Sequence, residues 1–278
     1  MDIRALTTVH EFRQVFALER QVWGTTSDED LVPILVLQVA ARIGGVVLGA
    51  FEGTRLAGFA FSLPGIRDGR PYQWSHMVGV DAEFRNTGVG SRLKAEQRRL
   101  AMAAGLDLVA WTFDPLQSAN AHMNVVKLGC VAREYIQDAY PASTSALHVG
   151  TATDRLVAEW WLRSDRVTTR FEGAAPGAPA SRGDAAARLR GAVEANQARP
   201  GRDWLEPGGQ DLSVDAPRLA VVIPSDFAEM QRRDLPLARA WRAATRKVFS
   251  TLLPRGFVVE DFVLEKPKRI GTYVLTKA

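Results

Sequence analysis

Met77-Val78-Gly79-Val80-Asp81-Ala82-Glu83-Phe84-Arg85-Asn86-Thr87-Gly88-Val89-Gly90-Ser91 is the stretch on which the reading of the fold turns. An apolar strand end runs into a turn, then into Arg-x-x-Gly-x-Gly, then into an amphipathic helix. Glycines remove the Cβ atoms that keep a phosphate away from the backbone. A helix start adds unpaired N–H groups and a positive dipole end. The amides of residues 87–91 are therefore expected to cradle a diphosphate. No Gly-Lys-Ser/Thr follows, which excludes the P-loop, and Leu93 occupies the third glycine position of the dinucleotide fingerprint. A glycine turn that merely opens a helix remains the alternative.

Working outward, residues 3–6 read as a short strand, and Thr8-Val9-His10-Glu11 has the spacing of a capping box. Phe12, Val15, Phe16, Glu19 and Trp23 follow at helical spacing, with Gly24 as the stop. A second helix covers residues 33–43, and residues 46–51 and 55–63 form a hairpin. Residues 72–80 are a strand, 91–104 a helix, 106–113 a strand and 120–128 a helix stopped by Gly129. Two further strands fall at 132–137 and 155–162, which gives a mixed α/β layer structure. Beyond it, residues 174–180 are linker-like and 184–196 a helix candidate. A compact unit closes the chain: strand 218–223, helix 234–253, then strands 257–264 and 271–275. The expected organisation is a domain at 1–165, a linker with a helix at 166–215 and a smaller α+β unit at 216–278.

Composition narrows the function. Of the 278 residues, 46% are hydrophobic and 24% charged, as in ordinary globular proteins. The 35 basic and 31 acidic residues leave a net charge of +4 with no basic block, which argues against a nucleic-acid binder. The single cysteine, Cys130, excludes an intrachain disulfide and fits a reducing compartment. The greasiest stretch, 31–51, is broken by Pro33, Gln38, Arg42, Gly44 and Gly45, so no membrane span of about 20 residues is expected. A cytoplasmic protein without membrane association is the expectation. No Cys/His cluster has metal-ligand spacing, and no metal is expected.

The run from Val80 to Gly90, Val-Asp-Ala-Glu-Phe-Arg-Asn-Thr-Gly-Val-Gly, resembles the acyl-CoA signature of the GNAT superfamily, with Ala82 where that signature has proline. Ala121, Lys127, Leu128 and Gly129 match the family's final helix, although Cys130 replaces its phenylalanine. Thr112-Phe113-Asp114-Pro115-Leu116, Asn120-Ala121-His122-Met123-Asn124 and Thr153-Asp154-Arg155-Leu156 are similar to a bacterial branch of GNAT acyltransferases with a C-terminal extension. The resemblance covers roughly residues 1–165, with further likeness in the tail at Trp241-Arg242 and Gly256-Phe257-Val258-Val259. It implies an α/β GNAT acyltransferase fold, a mixed and mostly antiparallel sheet flanked by helices. It also implies acetyl-CoA or another acyl-CoA, succinyl-CoA among them, as co-substrate and direct attack by a small-molecule amine, an amino acid among the options. On that reading Val78, Gly79 and Val80 would pair with pantetheine. Arg85, Asn86, Thr87, Gly88, Val89, Gly90 and Ser91 would hold the diphosphate, and Asn120, Asn124 and Lys127 would lie beside the thiol end.

His76 stands where serotonin N-acetyltransferase-like members carry histidine, so it reads as the general base or as a hydrogen-bonded core histidine. His10 and His148 have no such placement. Asp114 ends a strand before Pro115 and either orients an ammonium, relays a proton or caps the turn. Many family members carry a tyrosine where Val125 stands; here Asn120 and Asn124, on one helix face by their spacing, would hydrogen-bond the sulfur or pantetheine without being acids, and general-acid help is left to Tyr135 or Tyr140, or to none. Cys130 reads as a small buried hydrophobe. In the helix at 234–253, Leu237, Trp241, Ala244, Val248 and Leu252 form an apolar stripe. Arg239, Arg242 and Arg246 are expected to face solvent or an anion. The C-terminal unit is expected to cover the acceptor side or build a homodimer contact. An acyl-CoA-binding module without turnover is the competing reading.

Overall fold

The computed structural model describes residues 1–24, 27–141, 150–171 and 184–278. His148 and the linker at 174–180 lie outside them. In chain order the elements are β1 (Asp2–Ala5), α1 (Val9–Trp23), α2 (Ile34–Arg42), β2 (Val46–Glu52), β3 (Arg55–Arg67), β4 (Arg70–Val80), α3 (Val89–Ala103) and β5 (Leu108–Phe113). Then come α4 (Ser118–Ala121), a π-helical segment (His122–Lys127), β6 (Val131–Ile136), β7 (Arg155–Trp161), α5 (Asp165–Phe171) and α6 (Ala185–Leu189). β8 (Val193–Glu194), β9 (Asn196–Pro200), β10 (Leu205–Gln210), β11 (Arg218–Pro224), α7 (Phe227–Arg233), α8 (Leu235–Leu252), β12 (Phe257–Glu265) and β13 (Ile270–Lys277) complete the chain. The architecture is α/β, with mostly antiparallel strands flanked by helices.

The chain divides into two compact units. The first holds Met1–Trp111 and residues 160–171, and the second holds 112–141, 150–159 and 184–278. In the first unit β1 to β5 lie in sequence order, antiparallel up to β4 and parallel between β4 and β5. The period of a strand sorts β3 between two cores. Phe59 and Phe61 join Phe12, Val15, Leu18, Val32 and Leu37 from α1 and α2, while Ala60 joins Val89 and Leu93 of α3. The capping box is present at the start of α1, where the Thr8 hydroxyl accepts from the Glu11 N–H at 3.3 Å and Glu11 accepts from the Thr8 N–H at 3.0 Å. Gly24, at φ 60°, stops the helix.

Two expectations need correcting in the first unit. The β3–β4 hairpin runs on past Leu63 to a two-residue turn, Asp68-Gly69, with φ of 51° and 73°. Asp-Gly in that conformation suits the twist of a tight hairpin, and Pro64 and Gly65 hid the continuation. α5 was not foreseen either; it is short, and only Val167 of it is buried.

In the second unit β7, β6, β12, β13, β11 and β8 are neighbours in that order, and β9 pairs with β10. Trp241, Phe249, Phe257, Phe262 and Tyr273 fill the core. The helix expected at 184–196 ends at Leu189. Gly191 turns the chain at φ 73°, and Val193–Glu194 then pairs parallel with β11. Asn196, expected in that helix, instead clasps β11: its Nδ2 donates to the Val222 carbonyl at 2.8 Å and its Oδ1 accepts from the Val222 N–H at 2.7 Å.

Candidate acyl-thioester site

The first unit assembles the site from the end of β4. The chain turns there over a short 3-10 segment, Ala82–Phe84, capped by Asp81, which accepts from the Glu83 N–H at 3.1 Å. Arg55 clamps the turn, donating to Asp81 Oδ2 at 2.7 Å and to Glu83 Oε2 at 2.6 Å. Arg85 Nε donates back to the Val80 carbonyl at 3.3 Å, and the Thr87 hydroxyl donates to the Phe84 carbonyl at 2.7 Å. Asn86 at φ 64° and Gly88 at φ 89° take the left-handed steps that swing the chain into α3; asparagine tolerates that region and glycine prefers it.

α3 then opens with no side-chain cap and no acid in its first turn. A helix cannot satisfy its own first amides, so those of Val89, Gly90 and Ser91 face outward beside the positive end of the dipole. There is room in front of them. A Cβ on Gly88 would meet nothing within 4 Å, and one on Gly90 would meet only Val80 Cγ2 at 3.8 Å. The loop is exposed from Arg85 to Gly88. Uncapped amides, two open glycine positions and no competing acid suit an anion such as a phosphate.

β4 supplies the second part. It pairs with β3 along its length, but among the described residues it meets β5 at only two positions, Gln73–Val109 and Trp74–Ala110. From Ser75 onward its other edge has no strand partner among the described residues, and at Val80 the carbonyl is taken by Arg85 Nε. Met77 stands opposite Phe61 and Ser75 opposite Ser62, so His76 is the extra residue of a bulge. Bulges bend a strand and sharpen its twist, which accounts for the divergence of β4 from β5. Val78 and Val80 pack toward α3. Gly79 faces the other way, where a Cβ would come within 2.6 Å of Phe59 and 3.2 Å of Trp23, so only glycine fits.

His76 keeps contact with solvent, and its ring stands edge-on to Phe61 at 5.7 Å. Protein backing one side of the imidazole withdraws water, which holds its pKa below the ordinary 6.5. At neutral pH the ring is therefore uncharged and able to accept a proton.

One group was present in the sequence but was not assigned a role. Glu19 lies in the apolar register of α1 and is only 2% exposed. Its Oε1 accepts from the Val32 N–H at 3.0 Å, while its Oε2 is buried without a hydrogen-bond partner. Burial outweighs the Val32 N–H and raises the carboxyl to about 7. The signal was an acid inside an otherwise apolar stripe.

The remaining candidates belong to the second unit. Asp114 is buried, and both its oxygens are engaged: Arg242 donates to Oδ1 and Oδ2 at 2.7 Å each, and the Leu116 N–H donates to Oδ1 at 2.9 Å. Asn120 is exposed in α4, whereas Asn124 is buried in the π-helical segment. A regular helix would set residues four apart on one face, but the wider turn here, marked by the Leu128 N–H donating to the Met123 carbonyl at 2.9 Å, accompanies Asn124 turned into the core. Lys127 closes that segment half-buried, and Val125 and Cys130 lie in the core. The Tyr135 hydroxyl donates to Asp154 at 2.8 Å, and burial, with Asp154 beside it, pushes the phenol well above its ordinary range. Tyr140 is more open, its hydroxyl 2.6 Å from the Thr112 hydroxyl.

Of the arginines of α8, Arg239 is exposed, while Arg242 and Arg246 meet carboxylates of the chain itself. Arg242 is 4% exposed, because it shares the buried face of Ala238, Thr245 and Phe249. Arg246 donates to Asp154 Oδ2 at 2.8 Å and to Asp138 at 2.9 Å, and Arg239 donates to the Gly150 carbonyl at 2.8 Å. Trp241, Val248 and Leu252 bury the stripe foreseen for them.

Solved structures similar to this chain are GNAT-family acetyltransferases over somewhat more than half its length. A GNAT-family acetyltransferase from Streptococcus pneumoniae is 21% identical, with a TM-score of 0.47, over 57% of this chain and 97% of its own. A ribosomal-protein-alanine N-acetyltransferase from Brucella melitensis is 18% identical, with a TM-score of 0.47, over 57% and 98%. The ribosomal-protein-S18-alanine N-acetyltransferase of Escherichia coli is 12% identical, with a TM-score of 0.46, over 59% and 94%. No protein-family model and no curated protein matches the chain. Among the described residues, no helix is long and apolar enough to cross a membrane, and no three His, Cys, Asp or Glu side chains group as metal ligands.

Proposed function

We propose that the chain is an acyl-CoA-dependent N-acyltransferase of the GNAT type, moving an acetyl or succinyl group onto the amine of a small molecule. One observation carries the reading: the unpaired edge of β4 leads directly into the uncapped start of α3. A pantetheine amide chain needs a strand edge to pair with, and a diphosphate needs amides that nothing else occupies. Val78, Gly79 and Val80 would serve the first, and the backbone of Arg85, Asn86, Thr87, Gly88, Val89, Gly90 and Ser91 the second. The carrier supplies an activated thioester. The protein's part is to align the amine with it and to remove a proton.

His76 is the group in this unit suited to take that proton, being open to solvent and uncharged near neutrality. Asp114, with both oxygens held by Arg242, is given no proton-transfer step. A thiol with a pKa of about 8.5 leaves readily as thiolate, so the reaction does not depend on a general acid. A second reading, an acyl-CoA-binding module without turnover, draws on Val125 and Tyr135. The first is buried where a tyrosine would act, and the second is bound to Asp154.

The test uses the full chain with acetyl-CoA or succinyl-CoA and a panel of polyamines, monoamines and amino acids, with thiol release followed. Turnover with any amine supports transfer. Calorimetric binding of the thioester without turnover on any amine favours the module. No heat with either thioester removes both readings. His76→Ala should lower kcat near neutral pH and abolish the acidic limb of its pH profile; an unchanged profile would remove His76 as base.

A further inference from the structure

A buried carboxylate that holds structure normally fills its lone pairs, because an oxygen withdrawn from water without a donor is costly. Glu19 fills only one side. Oε1 takes the Val32 N–H at 3.0 Å and Oε2 takes nothing, in a residue only 2% exposed. The segment that Glu19 tethers is itself acidic. Ser27-Asp28-Glu29-Asp30 precedes Leu31 and Val32; its three acids are exposed, and Arg20 pairs with Asp28. Two ties from adjacent residues of α1 thus hold a strongly anionic segment, one through its acid and one through the amide at its end.

The location bears on the acyl-transfer reading. Glu19 and Trp23 lie one helical turn apart on the same face of α1. Trp23 packs on Phe59 at 5.9 Å and lies against Gly79 of β4. β4 is the strand that carries His76 and ends at the α3 cradle. α2, β3 and β4 pack on α1. The ionisable side chain within β4 that stands beside this core is His76, edge-on to Phe61, and it is uncharged near neutrality. α2 contributes only Arg42, in its last turn. No described residue donates to Glu19 Oε2.

We propose that Glu19, with the Asp28–Asp30 segment, is the subsite that takes the acceptor as an alkylammonium ion, one whose charged nitrogen has no carboxylate beside it. The proposal rests on the acyl-transfer reading for what happens next, but not for the binding itself. An ammonium N–H supplies the donor that Oε2 lacks, and its charge offsets the carboxylate and the three acids. An α-amino acid would bring a second anion into the same field and is disfavoured, which narrows the acceptor to amines of the polyamine or alkylamine kind. No covalent step is assigned to Glu19.

The experiment follows the Glu19 carboxyl by carbon NMR in the full chain labelled at glutamate side-chain carbons. The protein is titrated with pH alone, with n-butylammonium, and with tetramethylammonium, which carries the charge without an N–H. With n-butylammonium the Glu19 midpoint should fall by about 1–3 units, the usual effect of an adjacent opposite charge, and with tetramethylammonium by much less. Calorimetric heat for n-butylammonium should vanish in Glu19→Gln, which keeps an acceptor for the Val32 N–H. A midpoint indifferent to n-butylammonium overturns the proposal, because the empty side of Oε2 would then be served by water. The titration is read on the unaltered protein, so a poorly folding variant leaves the decision intact. If acetyl-CoA gives no heat while Glu19 still answers the amine, the transferase reading falls and the subsite stands. If the thioester binds and Glu19 is silent, the subsite alone falls.

Discussion

Asp114 and Asp154 of the second unit and Glu19 of the first are all buried carboxylates, yet they are treated in opposite ways. Asp114 meets two Arg242 nitrogens and the Leu116 amide. Asp154, fully withdrawn from solvent, takes Arg246, the Tyr135 hydroxyl and the Asp138 amide. Burial pushes the Asp154 carboxyl up, but those donors outweigh it and hold it below the ordinary carboxylate range. Glu19 has one amide, and burial wins. The two aspartates of the second unit have their carboxylates filled by donors and Glu19 does not, although Arg242 Nε is also buried without a hydrogen-bond partner.

The largest expected effect tests the saturated side. Asp114→Ala would leave the Arg242 guanidinium buried without its partner, and chemical denaturation should show a loss of about 3–5 kcal/mol. Asp114→Leu combined with Arg242→Met should recover most of it, since a packed apolar pair replaces a desolvated ionic one. If the single variant lost less than the double, the pair would not be the tie described here.

The unsaturated side predicts a pH dependence of the opposite sign. Burial raises Glu19 from the ordinary 4.5 to about 7. The folded state therefore binds the proton more tightly than the unfolded chain, and stability drains away as pH climbs from the lower value to the upper. Glu19→Gln does not titrate, so it should gain on the parent by up to about 3 kcal/mol between about pH 5 and about pH 8. Asp154, with its lowered pKa, contributes stability that is present above its unfolded pKa and lost as pH falls through the folded one. A stability difference between Glu19→Gln and the parent that is flat with pH would deny the contrast.

The same opposition recurs between helix starts. α1 is closed by the reciprocal bonds of Thr8 and Glu11, whereas α3 is left open at Gly88. Gly90→Glu places an acid where the helix dipole welcomes it and replaces a helical glycine, so the melting temperature should hold or rise. The same carboxylate repels a diphosphate, and calorimetric affinity for CoA should fall about 100-fold, roughly 2.7 kcal/mol. Stability and binding moving in opposite directions would be hard to explain by anything except a ligand at those amides. An unchanged affinity would refute the cradle.

How much of this was legible in the sequence follows from how local each signal is. The capping box, the Gly24 stop and the glycine turn before α3 depend on neighbours a few residues apart, and they were readable. The β9–β10 ribbon was not, because Pro200, Gly201, Pro207, Gly208 and Gly209 read as loop; its strands depend on pairing with each other. The fate of Arg242 was hidden because its partner lies 128 residues away in the chain. The π-helical turn that separates Asn120 from Asn124 leaves no mark in a period of 3.6. Glu19 was legible in its spacing, but its significance depends on the emptiness around one oxygen, which periodicity does not report.

The smallest effect completes the contrast between closed and open helix starts. Thr8→Ala removes the hydroxyl that accepts from the Glu11 amide and contacts Glu11 Oε2 at 2.9 Å. The Glu11 carboxylate keeps the Thr7 and Thr8 amides, each at 3.0 Å, and its ion pair with Arg4. Burial raises this carboxyl, yet those donors bring it down to about 2, so it stays ionised and bound at any working pH. Only one member of the box is lost, and the expected cost is about 1 kcal/mol in thermal or urea unfolding. CoA affinity should not move, because a cap that serves only the fold has no ligand to answer to. A Thr8→Ala protein that bound CoA more weakly would show that the two helix starts are coupled, and that the open start of α3 does not carry the ligand alone.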